Sequence, residues 1–317
     1  MTSKPDDMEL YRHLASRSGT VHLRQRLGIE HESEQRVFHK GWSLFHIENV
    51  HGLNPLLHMA LRLLGLDKRG RRNALKIRIR HNTIAIPSLP RSFDGFRILH
   101  LSDLHLDMNS QFPAALAGRL RQADYDLCVL TGDYRYQTWG AIEPALSAMQ
   151  QIRSDIKSPV YAILGNHDSI RMVPAIEALD IRLLMNESVT LERGDEIIYL
   201  AGIDDAHYFR ADNLQRAGQD IPQDAVSILL SHTPEIYRQA AHAGFDVMFC
   251  GHTHGGQIRL PGGFAMTYNA RCPRSVCAGS WSHHHMQGYT SVGAGSSIID
   301  MRFNCPPEIT VHQLRCA

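Results

Sequence analysis

Five short apolar runs constrain this chain more than any other feature. "RILHLSD", "LCVLTGD", "YAILGNHD", "SILLSH" and "VMFCGHTH" each close on aspartate, asparagine or histidine. Helical stretches such as "FPAALAGRLRQA", "AIEPALSAMQQI" and "TPEIYRQAAHAG" lie between them. Such alternation predicts an α/β domain, and open α/β sheets place their ligands beyond the carboxyl ends of their strands. One ending of this kind means little, because a lone Gly-Asp pair is common and a single buried histidine is ordinarily a satisfied core residue. Five in order, all with hard or borderline ligand types, point to one shared site.

The last run shows the chemistry most plainly. In "VMFCGHTHGGQI", His252 and His254 stand one residue apart among Gly251, Gly255 and Gly256. Residues i and i+2 of an extended backbone face the same side, so the two imidazoles leave the strand together. The glycines remove bulk and allow backbone angles that other residues avoid. The gathered candidates are Asp103, His105, Asp133, Asn166, His232, His252 and His254. Carboxylates, imidazoles and one amide without a thiolate suit first-row divalent ions such as Mn²⁺, Fe²⁺ or Zn²⁺. Seven donors are too many for one tetrahedral ion. They suit two ions ~3.5–4 Å apart that share a carboxylate and clamp the attacking and leaving oxygens of a phosphoryl displacement. His167 sits beside a ligand but points elsewhere from its turn, and a histidine titrating near pH 7 can protonate a leaving group. Asp168 is expected to orient that turn. Arg135 reads either as a phosphate contact or as an outward, salt-bridged residue.

"DLH", "GD", "GNHD", "SH" and "GHTH", in that order, resemble the five motifs of the calcineurin-like metallophosphoesterases. The resemblance runs from about Leu75 to the carboxyl end. It implies a β-sandwich of two mixed sheets flanked by helices, with the dimetal site at the strand ends. It also implies that Asp103, His105 and His254 bind one ion, that Asn166, His232 and His252 bind the other, and that Asp133 bridges them. His167 matches the histidine that meets the substrate. The protein phosphatases of this family carry "GDxVDRG" where this chain has "GDYRYQTWG", which argues against a protein substrate. "LPRSFDGFRILHLSDLHLD" and "RFNCPPEITVHQL" are similar to a bacterial membrane-associated branch. That branch includes phosphodiesterases and enzymes that cleave the pyrophosphate of UDP-2,3-diacylglucosamine in lipid A synthesis. The expected function is therefore hydrolysis of a phosphodiester or pyrophosphate bond with two divalent ions, Mn²⁺ first among them, on a lipid-linked substrate. A general or cyclic-nucleotide phosphodiesterase is the alternative, and a protein-binding scaffold is disfavoured because every presumed ligand is present.

The remainder of the chain is read as an appendage. Residues 1–74 are predicted to form a helical extension and residues 75–317 the catalytic domain. "NPLLHMALRLLGLDKRGRR" sets a leucine-rich face beside Lys68, Arg69, Arg71 and Arg72, which suits an interfacial helix on anionic lipid. It equally suits a helix packed on the main domain with a solvated basic end. Residues 42–72 are the expected peripheral membrane contact, on the inner face of the cell membrane of a cytoplasmic protein. A net charge of +1 gives no global field for nucleic acid, and no apolar stretch approaches the ~18–20 residues of a spanning helix. The polar start does not read as a secretory signal. Cys128 and Cys250 fall inside apolar runs, as free cysteines do. "LKIRIRHNTIAI" reads as a hairpin turning at His81-Asn82. "GIDDAHYF" and the loop "CPRSVC" are expected to line the cleft, and a separate metal site formed by "CPRSVC" with "HHH" does not fit the common zinc spacings.

Overall fold

The computed structural model describes residues 5–39, 61–63, 65–157, 159–265 and 267–317. Two helices, α1 (Pro5–Ser18) and α2 (Thr20–His39), come first. The strands follow as β1 (Arg78–Ile86), β2 (Arg97–Leu101), β3 (Leu127–Leu130), β4 (Val160–Ala162), β5 (Arg182–Leu183), β6 (Glu187–Arg193), β7 (Glu196–Gly202), β8 (Ser227–Leu230), β9 (Val247–Cys250), β10 (Gly279–His283), β11 (Met286–Thr290) and β12 (Glu308–Cys316). Among the described residues they form two six-stranded sheets, ordered β1-β12-β2-β3-β4-β5 and β10-β11-β9-β8-β7-β6. Both are mixed: β12 runs antiparallel to β2 in the first, and β10–β11 and β6–β7 are antiparallel in the second.

Strand periodicity builds three layers of core. Ile98, Leu127 and Val129 meet Ile228, Leu230, Val247 and Phe249 between the sheets. Their neighbours Leu99, Leu101, Cys128 and Leu130 point outward onto Leu116, Met149 and Ile152 of the covering helices. On the other sheet Leu229, Met248 and Cys250 face Ala217, Ala240 and Ala241. A strand buried on both faces must be apolar at every position, which is why the runs read as continuous rather than alternating. Full burial of each large side chain is worth about 1.5–3 kcal/mol.

"LKIRIRHNTIAI" is not a hairpin. Arg78 to Ile86 form one strand, paired in parallel with Glu308 to Cys316. That partner satisfies the backbone along the whole length, so no turn is needed at His81-Asn82. The Asn82 amide instead lies 3.1 Å from His312 Nδ1.

The described amino-terminal helices pack on the domain. Leu14 and Leu23, both fully buried, join the cluster outside the first sheet. Arg26 of α2 is also fully buried, with its guanidinium 3.2 Å over the Phe209 ring. Its Nη2 donates to Asp168 O at 2.9 Å. Asp204 at 3.3 Å and Glu30 at 3.1 Å stand within ion-pair reach, though off hydrogen-bond geometry. Glu30 accepts from the Ser169 hydroxyl (2.7 Å) and the Ile170 amide (2.8 Å). The α2 helix therefore grips the loop that carries His167. Further along, Leu61 is buried against Ile299 and Met301, and Gly70 faces the Phe303 ring. Lys68, Arg69, Arg71 and Arg72 are exposed. Trp42, Leu44, Phe45, Ile47 and residues 54–60 lie outside the described residues. Among those described, no helix is long and apolar enough to cross a membrane.

Candidate metal centre

The ends of β2, β3 and β4 in one sheet and of β8 and β9 in the other converge, so the site straddles the open end of the sandwich. All seven presumed ligands, and His167, are buried there. Their donor atoms form overlapping trios, Asp103–His105–His254, His105–Asp133–His167 and Asp133–His232–His252, each with its atoms within 4.8 Å of one another. Asn166 joins the last trio, its Oδ1 lying 2.9 Å from His232 Nε2 and 2.8 Å from His252 Nδ1. Asp133 Oδ2 sits in the middle, 3.2 Å from His232 Nε2, 3.8 Å from His105 Nε2 and 3.9 Å from His167 Nε2. His254 Nε2 lies 3.3 Å from Asp103 Oδ1 and 3.2 Å from His105 Nε2.

The local backbone is forced to make this convergence. Asp103, His105, Asp133, His252 and His254 all adopt left-handed φ, at 53°, 40°, 59°, 70° and 48°. Non-glycine residues rarely do so, at about 1–3 kcal/mol each, and such strain persists where the surroundings over-determine it. Close approach explains two glycines. A side chain at Gly251 would collide with Ser102 Oγ and Asp103 Oδ2, and one at Gly165 with Asp133 Oδ1. The glycines beside Asn166 and His252 thus make room for carboxylates delivered from other strands.

Backbone carbonyls set the tautomers. His105 Nδ1 donates to Arg135 O at 2.8 Å, His232 Nδ1 to Thr131 O at 2.6 Å, His167 Nδ1 to Tyr136 O at 2.5 Å, and His252 Nε2 to Asn269 O at 2.8 Å. A carbonyl only accepts, so in the neutral ring each opposite nitrogen turns its lone pair inward, the arrangement metal-ligating histidines adopt. Acceptors facing acceptors in a dry site need a proton or a metal ion between them. The donor set thus fits divalent metal ions.

Burial and charge show the same tension. Burial, helped by Asp133 and opposed by His232, pushes the Asp103 carboxyl up to about 6. Burial and the nearby His167 take His105 down to about 4. Burial would also depress His232, but Asp133, Asp103 and Asp205 together hold it well above its ordinary value. Burial would raise Asp133, yet His232, His167 and His105 keep it well below the usual carboxylate range.

Asp168 orients its turn, as expected, accepting from the amides of Asp133 (2.7 Å), Tyr134 (2.9 Å) and Gly165 (2.9 Å). Arg135 is turned inward rather than outward. It is 3 % exposed, and its guanidinium donates to His167 O (2.5 Å), Gly140 O (3.0 Å) and Thr138 O (3.0 Å). Those carbonyls take one N–H from each guanidinium nitrogen, and Arg135 braces the His167 loop. His207 packs at a tilt against the His252 ring with centroids 4.1 Å apart, so "GIDDAHYF" does line the cleft. Cys272 and Cys277 lie on its wall. His283 and His284 instead cluster with His242 at the surface.

Several supporting groups were not legible in the sequence. Thr131, Tyr136 and Asn269 act through backbone carbonyls, which leave no residue signature. Arg302, fully buried, donates to Gly295 O and to Gly293 O (3.3 Å) and stands 3.2 Å from His254 Nδ1. An arginine between Met301 and Phe303 was its only sign.

The fold and site together define a metal-dependent hydrolase of phosphate esters. A family model, the calcineurin-like phosphoesterase, matches residues 96–256, and the chain belongs to that family. The family implies divalent metal ions at the buried Asp/His clusters. The chain is 30% identical over 256 residues to the uncharacterized metallophosphoesterase YkoQ of Bacillus subtilis, covering 77% of this chain and 92% of that one. It is 28% identical over 236 residues to the phosphodiesterase YaeI of Escherichia coli, with 69% and 82% covered. Among solved structures, TT1561 of Thermus thermophilus aligns with a TM-score of 0.43 at 10% identity, covering 63% of this chain and 90% of that one.

Proposed function

We propose that this chain hydrolyses a phosphodiester or pyrophosphate bond in a lipid-linked substrate, of which UDP-2,3-diacylglucosamine is the leading candidate. The observation that carries the hydrolytic reading is the set of inward-facing lone pairs around Asp133 Oδ2. In this reading Asp103, His105 and His254 hold one ion, Asn166, His232 and His252 the other, and Asp133 both; Mn²⁺ is the first choice, ahead of Fe²⁺ and Zn²⁺. When bound, the ions neutralise phosphoryl charge and acidify the attacking water. His167 supplies the proton. Its Nδ1 is fixed on Tyr136 O, so Nε2 is the atom that takes up a proton and, as imidazolium, gives it to the leaving oxygen. Arg135 and Asp168 hold the loop that aims it.

A phosphodiester is supported by the relative named as a phosphodiesterase. Lipid linkage is supported by charge. Lys68, Arg69, Arg71, Arg72, Lys76 and Arg78 are exposed and follow directly on the apolar stretch from Trp42 to Leu66. Cations near an anionic bilayer contribute about 1 kcal/mol each. Residues 1–74 are taken as a helical extension with its peripheral membrane contact in residues 42–72, residues 75–317 as the catalytic domain, and the cytoplasmic membrane face as the place of action.

The test is UMP release from UDP-2,3-diacylglucosamine in detergent micelles with Mn²⁺, beside the His167→Ala protein. Release by the unmutated protein alone is expected. No release from a protein shown to carry its metals would refute the lipid-linked substrate and send the search to other diesters, cyclic nucleotides among them.

A further inference from the structure

Beside the metal centre lies a cavity of about 330 Å³, within the range of small-ligand pockets. It abuts the ligand shell directly. His207, on its wall, packs at a tilt against His252, and the Asn269 carbonyl, also on its wall, fixes the His252 tautomer. Three arginines line it, Arg210, Arg271 and Arg274. Glu235 is the only carboxylate among its described lining residues. That carboxylate is engaged, taking His207 Nδ1 at 3.0 Å and the Arg271 amide at 2.6 Å. Arg274 is engaged too, donating to Ala265 O at 2.8 Å and lying over the Phe264 and Tyr268 rings. It shapes the wall.

Arg210 and Arg271 differ from their neighbours. Both are exposed, and neither guanidinium has a carboxylate within ion-pair reach among the described residues. Arg210 also carries left-handed backbone, at φ 50°. That strain is held from both sides, because the Phe209 amide is bound to the Asp205 carboxylate and the Ala211 amide to Asp205 O. Arg210 stands where this cavity meets a second one, of about 460 Å³, walled by Ser18, Val21 and His22 of the amino-terminal helices.

We propose that the cavity is an anion subsite for a second phosphate of the substrate, beside the one that is cleaved. This rests on the phosphoester reading of the metal centre and deepens it. Guanidinium forks match phosphate oxygens in paired, charge-assisted hydrogen bonds. Two of them beside the reacting centre select a pyrophosphate linkage over an isolated diester. The Arg210 junction gives the remainder of such a substrate a path along the amino-terminal helices.

The experiment is calorimetric titration of the Mn²⁺-loaded full chain with a methylene-bridged UDP-glucose analogue and, separately, with methylphosphonate monoester. The unmutated protein is expected to bind the bridged analogue at least tenfold tighter. Arg210→Ala and Arg271→Ala should each erase most of that ratio, and Arg271→Lys should keep part of it. A ratio near one in the unmutated protein, or one unchanged in both alanine variants, would overturn the proposal. UMP release from UDP-2,3-diacylglucosamine by the unmutated protein is measured alongside. If it is absent while the binding ratio holds, the reaction assigned to the centre fails and the anion subsite stands.

Discussion

Two clusters of buried histidine lie among the described residues, and they differ in what their nitrogens face. At the strand ends, His105, His232, His252 and His254 turn toward Asp103, Asp133 and Asn166. Between the sheets, His100 and His312 belong to a chain in which every donor meets an acceptor. The Ser280 hydroxyl donates to Asn82 Oδ1 (2.8 Å), the Asn82 amide to His312 Nδ1 (3.1 Å), His312 Nε2 to His100 Nδ1 (3.4 Å), and His100 Nε2 to Thr131 Oγ1 (2.8 Å). Burial takes His100 down to about 3 and holds His312 well below its ordinary value, so both rings stay neutral. Burial alone therefore does not mark a functional histidine. Acceptors aimed at acceptors do.

The largest expected effect breaks the first cluster. Asp133→Asn or His252→Ala should release metal, seen as loss of bound Mn²⁺ by elemental analysis, and should lower turnover by at least ~10³-fold. His167→Ala should separate binding from chemistry: metal content stays, while kcat falls by about 10²–10⁴-fold, the range for a lost general acid. Loss of metal in that variant would show that His167 is a ligand.

The second cluster should respond through stability. His312→Leu leaves Asn82 and His100 without their partner, at about 1–3 kcal/mol, read as a lower urea midpoint with metal content unchanged. Acid sharpens the contrast. The unfolded chain protonates His100 near the ordinary 6.5, and the fold refuses that proton until about 3. Stability from this group is thus fully present above pH 6.5 and falls as pH drops toward 3, at about 1.4 kcal/mol per unit. The acid slope of His312→Leu should be shallower than that of its parent, and an equal slope would show that the pair is not the source.

The centre was legible in the sequence because its residues end five apolar runs, and runs apolar at every position mean strands buried on both faces. The order of the strands was not, because β12 arrives from the far end of the chain to separate β1 from β2. The same pairing turned a predicted hairpin into one strand. The inward turn of Arg135 was not legible either, because its spacing from Asp133 says nothing of where a long side chain folds back. The grip of Arg26 and Glu30 on the His167 loop joins parts of the chain about 140 residues apart, and local pattern cannot show it.

Asp133 is proposed to join two metal ions. An anomalous difference map from crystals grown with Mn²⁺ tests it most directly. The account predicts two peaks ~3.5–4 Å apart, both in contact with Asp133, one beside His105 and His254 and the other beside His232 and His252. A single peak, or density only at the surface cluster of His242, His283 and His284, would contradict it.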